Sequence, residues 1–140
     1  MATILYCVAE TYRMKGEKLV ASTSSKNRAI SAYRHSITHF NLALEAPDLE
    51  DNQIGTSVHA ACNHGLIRMH AVLFDYYDRS VKAGKKDNRS KRNKHRNHGN
   101  EAGSRLQRLH ADDYSLNPKR SMNRRRFLDL AASDIRRLTR

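Results

Sequence analysis

Eight histidines, two cysteines and 26 Lys/Arg are the residues of this 140-residue chain best equipped to do chemistry. Their spacing decides which chemistry is open to them. His59, Cys62 and His70 would share one side of a helix, but His59 and His70 are 11 residues apart. That is about 16 Å along a helix axis, too far for one ion. His59 with Cys62 offers two ligands where a structural zinc takes four. His35 and His39 stand at i and i+4, yet Ser36 follows His35 where a zinc protease carries glutamate. No P-loop, dinucleotide glycine motif or nucleophile elbow occurs. The expectation is a protein with no metal, no cofactor and no catalytic residue. Cys7 and Cys62 are too few for a disulfide framework and read as two buried thiols.

The cations are more informative. Residues 1–81 carry eight basic and eight acidic groups and sum to zero. Residues 82–98 carry eight basic groups against one acid, and residues 119–140 eight against two. The whole net charge of +12 therefore lies in the second half. Lys85, Lys86, Arg89, Lys91, Arg92, Lys94 and Arg96 crowd one segment, where phosphates would relieve their repulsion and release counterions. Arg124, Arg125 and Arg126 are expected in the first turn of a last helix, at the positive end of its dipole. Phosphate arriving there would offset the cost. These ten side chains are the candidate nucleic-acid-binding residues.

One motif admits catalysis. Arg34-His35-Ser36-Ile37-Thr38-His39 resembles the Arg-polar-x-x-x-His motif of HEPN-type ribonucleases, and Arg105–His110 matches a looser form with Leu106 in the polar place. The resemblance implies an all-helical protein that dimerises to cut RNA without metal. His39 would act as general base on a ribose hydroxyl, and Arg34 would stabilise the phosphorane.

The elements that position these groups follow from periodicity. Thr3–Arg13 is rich in Ile, Tyr, Val and Thr and reads as a strand, with a short helix as its alternative. Met14–Glu17 reads as a glycine turn, and Lys18–Thr23 as a returning strand. Ser24 or Ser25 would cap a helix carrying Ile30, Tyr33, Ile37, Phe40 and Leu44. Pro47 ends it, and an acidic loop with Asp48, Glu50 and Asp51 runs to Gly55. Thr56 or Ser57 would cap a second helix, striped by Val58, Cys62, Leu66, Met69, Leu73 and Tyr76. Phe74, Tyr76 and Tyr77 fit the core better than a base-stacking surface. Asp75 and Asp78 are expected to pair with Arg79, Lys82 or the basic segment. Residues 84–104 hold no large apolar side chain and are expected to be disordered alone. A last helix with Phe127, Ala131, Ile135 and Leu138 on one face would start near Ser121.

The expected fold is α+β: an N-terminal β-hairpin packed on an antiparallel helical hairpin, then a basic extended segment and a C-terminal helix. It divides into a neutral folded core (1–82), a basic linker or arm (83–104) and a basic C-terminal helical segment (105–140). The expected function is a small, non-catalytic nucleic-acid binder, RNA in preference to DNA, serving as a subunit or regulator of a nucleoprotein complex. Its partners would be an RNA or DNA backbone and protein subunits of that complex, with no membrane. The alternatives are a protein-binding adaptor or inhibitor of the mobile-element or phage type, and the ribonuclease above. The missing apolar span and the unpaired cysteines suggest the cytoplasm, or the nucleus in a eukaryote.

Overall fold

A computed structural model describes residues 1–22, 26–49, 58–113 and 118–139. Among the described residues five helices run α1 (Ala2–Ala21), α2 (Lys26–Glu45), α3 (Val58–Lys82), α4 (Arg89–Asp113) and α5 (Pro118–Thr139), with a single 3-10 turn at Lys86–Asn88. No strand occurs among the described residues. The expected β-hairpin and the α+β class are therefore wrong. The proposed caps at Ser24, Ser25, Thr56 and Ser57, and the loop acids Glu50 and Asp51, lie outside the described residues.

Gly16 explains the error in the first 21 residues. It is no turn but the seat of an aromatic ring. A Cβ added there would meet Tyr33 Cε1 at 2.5 Å. Ala2, Ala9 and Gly16 recur every seven residues on α1, and Ala29, Ser36 and Ala43 do the same on α2. All six are buried. Ser36 Oγ donates to Ala9 O at 2.8 Å, fixing an antiparallel register with Ala2 opposite Ala43 and Gly16 opposite Ala29. Small side chains let the two backbones approach closely. The β-branched residues that suggested a strand lie beside this seam: Ile4 is 64% exposed, and Val8 is half-buried. Packing overrides local propensity here.

α3 is the spine, with Leu66, Ile67, Met69 and Leu73 all enclosed. The Phe40 ring of α2 lies on Gly65, leaving no room for a Cβ. Arg68 of α3 and Arg13 of α1 share Glu17, at 2.8 and 2.9 Å. Cys62 is buried, and burial pushes its thiol up to about 12. Cys7 is exposed, contrary to expectation.

The chain leaves α3 through a left-handed glycine. Gly84 has φ +102°, its N–H donates to Val81 O, and the Lys85 N–H donates to Ser80 O, both at 3.0 Å. This pairing closes the helix end, and glycine bears the left-handed backbone without a Cβ penalty. The chain then returns along α3 as α4. Residues 89–113 are one continuous helix, not an extended segment.

Candidate nucleic-acid interface

α4 is helical without a conventional apolar face. Its core contacts are Gly99, Ala102, Gly103 and Leu106, at helical spacing and buried. Gly99 abuts Leu138 of α5 and the Cβ of His70 on α3. The rest of the stripe is built from half-buried polar side chains. The Arg96 guanidinium stands 4.9 Å from the Phe74 ring centroid. Arg92 reaches Asp78 at 3.3 Å, and Arg105 Nε donates to Asn63 Oδ1 at 2.9 Å. Aliphatic stems and rings supply the apolar surface; Arg92 and Arg105 find polar partners, whereas Arg96 Nε is buried without a hydrogen-bond partner among the described residues.

Two histidines meet inside this seam. Nδ1 of His70 and Nδ1 of His95 lie 2.9 Å apart, so one donates and the other accepts. The His95 ring stacks on Tyr77 with centroids 5.6 Å apart, and Arg34 of α2 donates to the Tyr77 hydroxyl. Burial, then the neighbouring His95, His98, Arg105 and Lys94, hold His70 down to about 3. Burial, then Lys94, Arg34 and His98, hold His95 down to about 4. Both imidazoles are neutral at pH 7.

The candidate cations divide into two groups. Lys85, Lys86, Arg89, Lys91 and Lys94 are exposed, as is Arg126. The Lys91 ammonium also stands 5.7 Å over the Tyr77 ring. Arg125 is exposed and pairs with Asp129 at 3.2 Å. Arg92 and Arg96 are half-buried and occupied by Asp78 and Phe74. Arg124 is 3% exposed and donates to Leu109 O at 2.9 Å, tying α5 to the end of α4. It is a structural residue. α5 also begins at Pro118, so Arg124–Arg126 stand beyond its first turn. The dipole argument for phosphate there loses its basis, because the effect fades within that turn.

Sequence reasoning missed the order of the outer face. Arg89, Asn93, Asn97, Asn100, Ser104 and Arg108 recur at steps of 4, 4, 3, 4 and 4. They form a straight ridge about 28 Å long at helical rise. Asn93, Asn97 and Ser104 are exposed at its centre, cations mark its ends, and Lys86 and Lys94 flank it, whereas Asn100 is half-buried and its Nδ2 donates to Leu138 O at 3.3 Å. Asn97, Asn100, Ser104 and Arg108 line a shallow trough there. Periodicity tests look for apolar stripes, and this stripe is polar.

Asp78 pairs with Lys82 at 2.9 Å as well as with Arg92, and Asp75 pairs with Arg137. No cluster of three His, Cys, Asp or Glu among the described residues is placed to hold a metal ion. Arg34 and His39 leave α2 on different sides: Arg34 turns to Tyr77, while His39 stacks on Tyr12 at 5.3 Å. Within one chain the ribonuclease-like pair does not converge. Among the described residues no helix is long and apolar enough to cross a membrane. No family model, curated protein or solved structure matches this chain.

Proposed function

We propose that this protein is a non-catalytic nucleic-acid binder, RNA in preference to DNA, acting as a subunit or regulator of a nucleoprotein complex. One observation carries the reading. Lys85, Lys86, Arg89, Lys91, Lys94 and Arg108 all stand exposed on the 3-10 turn and α4, with only Asp87 and Glu101 as exposed acids between them. The helix and the turn before it hold these cations in place, so little ordering entropy would oppose binding to a phosphate backbone. The exposed Asn93, Asn97 and Ser104 between them offer hydrogen bonds to sugar hydroxyls, which RNA carries and DNA lacks.

The test is binding of an RNA and a DNA oligonucleotide of one sequence over a salt series. Log affinity should fall linearly with log salt, with RNA bound more tightly. Changing Lys86, Arg89 and Lys94 together to Glu should abolish binding while the fold persists. Unchanged affinity in that variant overturns the reading. Capture of one cellular protein that survives nuclease treatment would favour the adaptor instead.

A further inference from the structure

We propose that the cleft where the C-terminal end of α1, the N-terminal end of α2 and the C-terminal end of α3 meet takes one unpaired nucleotide of the strand bound along α4. The proposal rests on the nucleic-acid reading above and adds a second subsite to it. The cleft has a volume of about 750 Å³, within the usual range for small-ligand sites. Its walls are apolar and aromatic, with Ile30, Val72 and the partly exposed Tyr76 among them. Its rim carries Lys26, Arg79 and Lys85, all exposed, and no carboxylate lines it among the described residues.

This pairing of surfaces suits a nucleotide: a flat, weakly polar base for the walls and a phosphate for the rim. Tyr76 is held edge-on against Tyr77, with centroids 5.1 Å apart, so its ring is fixed before a ligand arrives. A fatty acid or an apolar peptide side chain would also suit the walls. The nucleotide is favoured by continuity, because Lys85 belongs to both the cleft rim and the row of cations that continues through Lys86 and Arg89. A strand following that row reaches the cleft without leaving positive surface. Aromatic platforms beside cationic tracks are the usual means of holding unpaired bases.

A single-stranded RNA ending in 2-aminopurine tests this, because the fluorescence of that base falls when it stacks. The full chain should quench the terminal base of the single strand and leave unchanged the fluorescence of the same base in a blunt duplex, where it is already stacked. Tyr76→Ala should abolish the quenching and weaken single-strand binding about tenfold. Arg79→Gln, a surface change with no effect expected on folding, should weaken it less and reduce the quenching. Tight, salt-sensitive binding of the single strand without quenching overturns the cleft and leaves the ridge standing. No binding of either oligonucleotide at low salt overturns both. Equal quenching in the wild type and both variants also overturns the cleft.

Discussion

The seam between α1 and α2 and the seam between α3 and α4 are both antiparallel helix pairs, and they are built from opposite materials. The first is closed by Ala, Gly and Ser in two seven-residue repeats, with Ser36 Oγ on Ala9 O as its polar anchor. The second is closed by Asn63–Arg105, His70–His95 and the stacked Tyr77. The Ala, Gly and Ser contacts of the first seam gain their stability from close approach and carry no titratable group. A polar seam holds only while each group keeps the protonation state its partner requires. The cationic ridge stands on the second seam, so the surface that would meet phosphate rests on the more conditional support.

The largest expected effect separates the two seams by acid. His70 and His95 have folded values of about 3 and about 4, below the usual 6.5. The unfolded chain therefore binds more protons than the folded chain below about pH 6.5. Their contribution is complete above that point and is lost as pH falls toward 4 and then 3. The loss should be on the order of 5 kcal/mol. Amide exchange at pH 7 and pH 5 should show α3 and α4 loosening while α1 and α2 stay protected. Equal loosening of both pairs would erase the contrast. His95→Gln should flatten the pH profile.

Glycine substitutions test the first seam at Gly16 and the α2–α3 contact at Gly65, and give the next largest change. Gly to Ala inside a helix ordinarily gains about 0.5–1 kcal/mol. At Gly16 and Gly65 the new methyl enters the buried rings of Tyr33 and Phe40. A net loss of about 1–3 kcal/mol is expected on denaturant titration. Gly103 is the control: its Cβ would lie 3.6 Å from Ile135 Cγ1, an ordinary contact, so alanine there should stabilise. A gain at Gly16 would show that the α1–α2 seam is looser than described.

Two arginine changes sharpen the division among the cations. Arg124→Ala removes a buried donor to Leu109 O and should cost about 1–3 kcal/mol of stability, with little change in RNA affinity. Arg89→Ala removes the same charge from the surface. It should leave stability within about 0.5 kcal/mol and lower the slope of log affinity against log salt by about 0.7 for single strands. Thermal melts and salt series on both variants check this. Reversed outcomes would mean that the buried and exposed cations have been assigned to the wrong roles.

How far the sequence could lead depended on the material of each seam. The stripes Ile30–Leu44 and Val58–Tyr76 are large and apolar, and α2 and α3 appear where they fall. Ala2-Ala9-Gly16 is an equally regular signal, but it is written in small residues and was hidden by the Ile, Tyr and Val between them. Gly16 was legible only as a turn until Tyr33 was seen lying on it. α4 up to residue 104 was missed because its buried side there is made of glycine, a lone alanine, arginine stems and imidazoles, with no large apolar side chain. The exposed candidates Lys85, Lys86, Arg89, Lys91 and Lys94 followed from charge density alone. Arg124 could not be told from Arg126 by composition, since only the neighbouring end of α4 buries it.

Gly84 carries a consequence of its own. Nothing lies within 4 Å of where its Cβ would be, so a larger side chain meets no clash there. The obstacle is purely conformational, and a substituted chain could relieve it by swinging to another exit angle. A change at this one uncharged, solvent-facing position would then re-aim everything downstream, altering what the molecule grips without touching any group that grips.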